Sequence, residues 1–354
     1  MKKNSILLLV SLFMISPLFS QVDTISVNST HKNQSDSLQK LETTQRFSYI
    51  PRIFSIIKTD YEWNTQKGTQ RFLVRNARLG VKSDINPYIH YQMEVDLSSE
   101  GAFRVLNAFT VFTPYKDEQH SLKLWMGYQK PFFSSEYLRN PMKIFFIRPS
   151  LVVSEMTAGI ADVGVIADYA FDNSLLPFNL GLGVFNGMGV KNQYFTSPNY
   201  NGRIRIYPYE GFSFTAQYYG GHNIDSNKLN MLGMEAAYQN KSFFAEIAYF
   251  HRNIKDKLLH SSDINSSIMF QTYYRFPLKN IKHLHYIAPT IRWDMLGSKY
   301  FIDNISFARL TAGVNFGLDH RYFKAEFRLN YEKFIQSTLP IHEDMFIAEF
   351  IISI

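Results

Sequence analysis

Residues 322–332, YFKAEFRLNYE, alternate between two kinds of side chain. One face of this stretch carries Phe323, Ala325, Phe327, Leu329 and Tyr331, and the other carries Tyr322, Lys324, Glu326, Arg328, Asn330 and Glu332. A period of two is typical of a β-strand, whereas a helix would mix the two sets on each of its faces. The stretch therefore predicts a strand with one apolar and one polar face.

The same alternation recurs from residue 47 to residue 354, for example in YIHYQMEVDL at 88–97 and in GRIRI at 202–206. Turn residues divide this region into sixteen predicted strands, at 47–61, 70–83, 87–98, 103–114, 119–128, 160–172, 176–186, 200–209, 211–220, 230–240, 242–252, 265–276, 284–297, 304–318, 320–332 and 342–354. Apolar faces can turn to lipid and polar faces to a lumen. We therefore predict an all-β fold, an antiparallel transmembrane β-barrel of about sixteen strands.

The first twenty residues have the parts of a signal peptide. Lys2 and Lys3 supply the positive start, and residues 6–15 form an apolar run that is too short to span a bilayer. Ser20 precedes the expected cleavage site, although an uncleaved N-terminal anchor is the alternative. We expect a signal peptide at 1–20, a polar periplasmic tail at 21–46 and a barrel at 47–354, located in the bacterial outer membrane.

Composition excludes several classes of site. The 31 Phe and 22 Tyr suit the aromatic girdles of a barrel, while a hydrophobic content of 45% is too low for a helical membrane protein. The chain has no Cys, which excludes thiol catalysis and thiolate metal sites. The net charge of +7 is mild and gives no reason to expect nucleic-acid binding. We expect no cofactor, no metal site and no enzymatic activity.

The third outward connection, residues 129–159, is the longest and carries four basic residues, Lys130, Arg139, Lys143 and Arg148, against the acidic Glu136 and Glu155. A loop of this length in a compact barrel is usually functional. Its apolar run at residues 144–147 needs cover from water, which favours folding into the lumen as a constriction that binds solute. A surface flap is the alternative.

Five short motifs resemble those of the phosphate-selective porins of the O and P type. They are RLGVK at 78–82, LNAF at 106–109, GYQKPF at 127–132, FIRPS at 146–150 and VFNG at 184–187. The resemblance implies a sixteen-stranded homotrimer whose third loop narrows the pore and whose basic residues conduct anions such as phosphate. Asn107 replaces the family's Asp, Pro149 interrupts its Arg-Ser element, and Ile354 stands where a terminal Phe is common.

Basic residues on the polar faces are expected to line the lumen. These are Arg78, Lys82, Arg203, Arg205, Arg292, Arg309, Lys324 and Arg328. Acidic residues are interleaved with them, so the expected function is passive diffusion of small hydrophilic solutes, with a modest preference for anions. The alternatives are a surface-loop adhesin, indicated by a filled lumen, and a lipid hydrolase, indicated by a Ser and a His within hydrogen-bond reach on the outer wall.

Overall fold

The computed structural model describes residues 50–97, 103–157, 160–172, 175–190, 194–195, 197–223, 225–256, 261–279, 281–298, 305–318, 323–336 and 343–354. The predicted signal peptide at 1–20 and polar tail at 21–46 lie outside the described residues. Within these ranges, no helix is both long enough and apolar enough to cross a membrane.

Sixteen long strands follow one another in the described part of the chain. They are β1 (Arg52–Asn64), β2 (Gln70–Asn86), β3 (Ile89–Asp96), β4 (Arg104–Lys116), β5 (His120–Gln129), β6 (Asp162–Phe171), β7 (Phe178–Phe185), β8 (Asn199–Ile206), β9 (Phe212–His222), β10 (Lys228–Gln239), β11 (Phe243–Lys255), β12 (Ser262–Tyr274), β13 (Tyr286–Ser298), β14 (Ile305–Gly317), β15 (Lys324–Gln336) and β16 (Met345–Ser353). A two-residue segment, Phe276–Pro277, continues the pairing of β12 with β13. The predicted fold is confirmed.

The sheet closes on itself through β1. This strand pairs with β2 on one side, where Trp63 opposes Gln70, and with β16 on the other, where Ile56 opposes Ser353. Every neighbouring pair is antiparallel, and the strands follow sequence order around the barrel. Closure gives the edge strands their hydrogen-bond partners, which lipid cannot supply.

The alternation in β15 has the predicted sense. Glu326, Arg328 and Asn330 are buried on the inner face, whereas Phe327 and Tyr331 are exposed on the outer face. Other strands present the same apolar exterior, with exposed side chains such as Phe72, Met93, Met126, Leu232 and Met234. The outer face therefore suits lipid and the inner face suits water or polar protein groups.

The boundaries of some strands differ from those predicted. Of the strand predicted at 47–61, residues 47–49 lie outside the described residues, and β1 begins at Arg52, directly after Pro51, which has no backbone N–H for a ladder hydrogen bond. It also extends three residues further, to Asn64, because residues 61–64 continue the pairing with β16.

The connections differ strongly in length at the two ends of the barrel. At one end, the connections at 87–88, 117–119 and 240–242 are tight turns. At the other end, which we call the outer end, residues 130–161 join β5 to β6. This segment, here called the inner loop, contains three short helical turns, Ser135–Leu138, Pro141–Lys143 and Val152–Met156.

Candidate functional site

The inner loop is held by hydrogen bonds from its backbone amides to side chains on the inner face of the wall. The donor and acceptor residues are Phe132 and Asn201 (3.0 Å), Ser134 and Gln217 (3.0 Å), Ser135 and Glu235 (2.7 Å), Ile147 and Asn330 (3.0 Å), and Leu151 and Asp294 (2.7 Å). The acceptors lie on β8, β9, β10, β15 and β13. One segment can reach all of these strands only from within the barrel.

These side-chain acceptors explain how irregular backbone can lie at this depth. Non-helical backbone within a membrane protein is tolerated where protein groups or water satisfy its amides and carbonyls. The carbonyl of Phe145 accepts from Asn315 Nδ2 at 2.9 Å, and that of Pro149 accepts from Arg309 at 2.7 Å. The wall thus supplies both donors and acceptors to the inner loop.

A cluster of charged residues fixes the middle of the inner loop, and we call it the loop clamp. It consists of Arg292, Asp294, Arg309, Glu332 and the inner-loop residue Glu136. Arg309 lies 2.8 Å from Asp294 and 3.4 Å from Glu332, and Arg292 lies 3.6 Å from Asp294 and 3.8 Å from Glu136. All five side chains are almost inaccessible to water. Removing one member of such a buried set leaves an uncompensated charge, which typically costs about 3–5 kcal/mol.

Apolar side chains of the inner loop are buried against the same wall. Phe133 packs edge-on against Phe250 with ring centroids 5.3 Å apart, and Arg292 lies 4.5 Å from the ring centroid of Phe146. Ile147 is also fully buried. The apolar run at residues 144–147 is therefore shielded from water by packing inside the barrel.

The opposite wall, formed by β2 to β6, is less covered. At mid-height, inward-facing Arg78, Gln92 and Asn107 on β2 to β4 are partly exposed, whereas inward-facing Asp294 and Arg328 on the covered side are fully buried. A barrel of about sixteen strands is too wide for its own side chains to fill. We call the space between the inner loop and the inner faces of β2 to β6 the passage.

Arginine–carboxylate pairs near the passage and its outer mouth share an asymmetry. The basic side chain is more exposed than its acidic partner in Arg71–Glu62 (66% and 1%), Arg75–Asp60 (24% and 0%), Arg78–Glu94 (18% and 8%), Arg139–Glu246 (18% and 1%) and Arg148–Glu62 (22% and 1%). Two pairs are reversed, Arg252–Asp263 at the outer end of β11 and β12 and His90–Asp84 (34% and 45%) on the inner faces of β2 and β3. In the five arginine pairs, the partner that meets water is therefore the cation although the charges are paired.

The four basic residues predicted for a constriction all lie in the inner loop, with different surroundings. Arg139 pairs with Glu246 at 2.8 Å, Arg148 pairs with Glu62 at 2.6 Å, and Lys143 is exposed. Lys130 Nζ donates to the carbonyl of Tyr137 at 2.5 Å and lies 4.4 Å from the centroid of its ring. Burial, reinforced by the charge of Arg78 and opposed by Glu94, lowers the pKa of Lys130 to about 8.

The residues predicted to line the lumen divide into two sets. In the first set, Arg203 and Arg205 both donate to Ser135 Oγ, and Arg78 pairs with Glu94 at 3.3 Å. The ammonium of Lys82 lies 5.5 Å from the ring centroid of Phe54, and Lys324 is exposed at the start of β15. Arg292, Arg309 and Arg328 also point inward but are buried, and Arg292 and Arg309 donate to inner-loop carbonyls, those of Arg148 and Pro149. Arg328 is paired with Glu326 at 2.6 Å and with Glu349 at 3.1 Å.

Sequence reasoning missed the carboxylates that hold the inner loop and the aromatic residues that border the passage. Alternation placed Glu332 on the polar face and Asp294 among the inward acidic residues, but it did not indicate that they hold the inner loop; Trp125, two residues after Lys123, could have been assigned to the inner face in the same way. Nothing in the sequence indicates which inward residues the inner loop covers. In the described part of the chain, no group of three or more His, Asp and Glu residues could hold a metal ion.

No family model matches the sequence, and no curated protein is similar to it. Solved structures with a similar fold include the trimer form of OmpT, an outer membrane protein of Vibrio cholerae, with a TM-score of 0.60, 11% identity and coverage of 86% of this chain and 99% of that chain. The anion-selective porin of Comamonas acidovorans has a TM-score of 0.59 and 13% identity, covering 86% and 98%. The outer membrane channel DcaP of Acinetobacter baumannii has a TM-score of 0.52 and 12% identity, covering 86% and 97%.

At such low identity these similarities show the fold alone. The chain folds as a bacterial outer-membrane β-barrel of the architecture found in porins and channels. Membership in the phosphate-selective O and P family stays a prediction.

Proposed function

We propose that this protein is an outer-membrane porin through which small hydrophilic solutes diffuse passively, with a modest preference for anions. The observation that carries the proposal is the position of the inner loop. It packs against the inner faces of β8 to β15 and reaches β1, while Arg78, Gln92 and Asn107 at mid-height of the opposite wall remain partly exposed. A polar, water-facing side of the lumen therefore persists next to a loop that narrows it.

The asymmetric ion pairs support the anion preference. Low-dielectric walls focus the field of charges in a narrow cleft, so the charges nearest the water matter most. Arg75, Arg78 and Arg148 are partly exposed, while their carboxylate partners are buried. The carboxylates still cancel much of the field, which favours a modest rather than a strict selectivity.

A cavity of about 400 Å³ at the outer mouth adds to this picture. Its lining includes Arg71 and Arg148, both of which bind the buried carboxylate of Glu62. A guanidinium group can offer two donors to a carboxylate or phosphate oxygen pair. We infer that anions are enriched here before they enter the passage. The motifs shared with the phosphate-selective porins support the same preference.

A homotrimer in outer-membrane lipid is the proposed assembly. The solved structures of similar fold include one described as a trimer form. The family resemblance of the motifs implies the same state.

The test of the proposed function is solute entry into liposomes that contain the refolded protein. Small neutral sugars should enter, and the rate should fall steeply with solute size because the inner loop narrows the lumen. Liposomes that admit no small sugar, although the protein in them is folded, would overturn the proposal.

A lipid hydrolase is the second candidate, and one contact favours it. His251 Nδ1 lies 3.0 Å from Ser266 Oγ, and both residues share the outward face with exposed Ile247. Ser266 is fully buried, however, and the Tyr249 hydroxyl lies 3.3 Å from its oxygen. A nucleophile must be reachable by an acyl carbon. Labelling of Ser266 by a fluorophosphonate, abolished in Ser266→Ala, would establish this alternative, and no labelling would exclude it.

A further inference from the structure

Four aromatic side chains border the passage, and we call them the aromatic strip. They are Phe109 on β4, Trp125 on β5, and Phe132 and Tyr137 in the inner loop. The ring centroids of Phe109 and Trp125 are 5.0 Å apart, and those of Trp125 and Phe132 are 6.0 Å apart with the rings nearly perpendicular. The strip thus joins the wall to the inner loop.

The strip faces water on one side only. Trp125, Phe132 and Tyr137 pack against the edge of the buried hydrophobic cluster that includes Phe133. All four rings of the strip keep part of their surface accessible, whereas Phe133 has none. Because Phe132 and Tyr137 lie inside the barrel, their accessible surface can face only the lumen.

Basic groups adjoin the strip. The ammonium of Lys130 lies 4.4 Å from the ring centroid of Tyr137, and the charges of Arg78 and Glu94 act on it from β2 and β3. Phe109 pairs across the sheet with Gln92, which precedes Glu94 by two residues on β3 and faces inward like it. Apolar ring faces and cationic groups therefore meet in one part of the passage.

We propose that the passage selects organic anions that carry a flat ring, such as aromatic carboxylates, over smaller anions of equal charge. This deepens the proposed porin function and rests on it. An aromatic pair contributes about 0.5–1.5 kcal/mol beyond the burial of its area, and a nearby cation binds the carboxylate. A hydrated inorganic anion gains nothing from the ring faces of the strip.

The test compares reversal potentials of single channels in gradients of potassium benzoate and of potassium acetate. Benzoate diffuses more slowly than acetate in water, so an unselective passage favours acetate. We expect benzoate to be more permeant than acetate by about threefold, as one ring contact in the above range implies. Cyclohexanecarboxylate, which has similar size but no flat π-face, should fall between them.

A matched pair of variants locates the effect. Phe109→Leu removes a phenyl ring from the passage, and Phe112→Leu removes a phenyl ring from the lipid-facing side of the same strand. The preference for benzoate should disappear in Phe109→Leu and persist in Phe112→Leu. Tyr137→Leu, in the inner loop, gives a second test if Phe109→Leu does not fold.

The outcomes separate this inference from the proposed function. A channel that conducts KCl but transports acetate and benzoate in the ratio of their aqueous mobilities would overturn the inference and leave the porin intact. A benzoate preference that persists in all three variants, Phe109→Leu, Phe112→Leu and Tyr137→Leu, would also overturn it. A folded protein that conducts no KCl would overturn the proposed function and the inference together.

Discussion

The guanidinium of Arg148, in the inner loop, lies 2.6 Å from the carboxylate of Glu62 on β1, and the cation is partly exposed while the anion is buried. This contact ties the inner loop to the strand that closes the barrel. It also turns a positive charge toward the lumen water. The same contact therefore fixes the position of the loop and contributes to the charge that a solute meets.

The first prediction concerns the charges of the inner loop. Neutralising them together, as Arg139→Gln, Lys143→Gln and Arg148→Gln, should lower the anion-to-cation permeability ratio. The reason is that three positive charges are removed, while Glu246 loses its partner Arg139 and Glu62 keeps only Arg71 and Arg75. Reversal potentials in a salt gradient measure the ratio.

The matched control removes the same number of positive charges from exposed strand ends and turns, as Lys116→Gln, Lys228→Gln and, in the turn at 240–242, Lys241→Gln. Exposed charges farther than a screening length of about 8 Å from the passage act weakly at physiological salt. Equal changes in the two triple variants would show that the inner loop is not the filter.

The second prediction concerns the two faces of the wall. Phe327→Arg places a charge on the lipid-facing side of β15 and should lower the free energy of unfolding by about 2–4 kcal/mol if the site is near the bilayer midplane. Gln92→Arg, on the inner face of β3 and partly open to the passage, should cost far less. Urea titration of the refolded barrel in lipid vesicles measures both. Equal costs would refute the assignment of faces.

Asn330 is an unsuitable inner-face control, contrary to what alternation alone predicts. It is buried beneath the inner loop and accepts a hydrogen bond from the Ile147 amide at 3.0 Å. An arginine there would displace the loop.

The third prediction concerns the loop clamp. Asp294→Ala removes a partner of both Arg292 and Arg309 and the acceptor of the Leu151 amide, so it should destabilise the protein by about 3–5 kcal/mol. The freed loop should become accessible to trypsin at Arg139 and Lys143. Asp263→Ala breaks an exposed pair with Arg252 and should cost about 0–1 kcal/mol. Trypsin resistance of the loop in Asp294→Ala would contradict the clamp.

The fourth prediction concerns pH. Burial lowers the pKa of Lys130 from 10.5 to about 8, so the folded protein releases this proton at a lower pH than the unfolded chain. The buried ammonium therefore destabilises the fold below about pH 8, and this cost is relieved as pH rises from about 8 toward 10.5. The anion preference should fall over the lower part of the same range, because the passage loses a positive charge.

Lys130→Arg provides the control for this pH effect, since guanidinium stays charged throughout the range. Its anion preference should not change between pH 7 and pH 9. A wild-type preference that is flat across this range would contradict the prediction, and an equal fall in Lys130→Arg would show that another group causes it.

The fold could be predicted from the sequence because each strand carries its own signal. The alternation of Glu326, Phe327 and Arg328 states which side chains face lipid, and closure follows from the lack of hydrogen-bond partners in lipid. The exact limits of β1 could not be predicted, since its pairing with β16 joins opposite ends of the barrel sequence.

The candidate site could be predicted only in part. Alternation assigned Arg292, Arg309 and Arg328 to the inner face, which the structure shows, but it could not reveal that all three would be buried or that the inner loop would contact Arg292 and Arg309. Cover depends on contacts such as that of Leu151 with Asp294, which are 143 residues apart and have no local pattern. The role of Trp125 was hidden for the same reason, because its neighbour Phe132 comes from the inner loop.

The most direct test of the account is the reversal potential of the wild-type protein in a planar bilayer that separates two KCl concentrations. We expect discrete, ohmic conductance steps and a reversal potential with the same sign as the chloride equilibrium potential. Its magnitude should shrink at high salt, where the screening length falls to about 3 Å. A reversal potential of the cation sign, or the absence of conductance steps from protein shown to be folded, would contradict a passage whose water-facing charges are those of Arg78, Arg139 and Arg148.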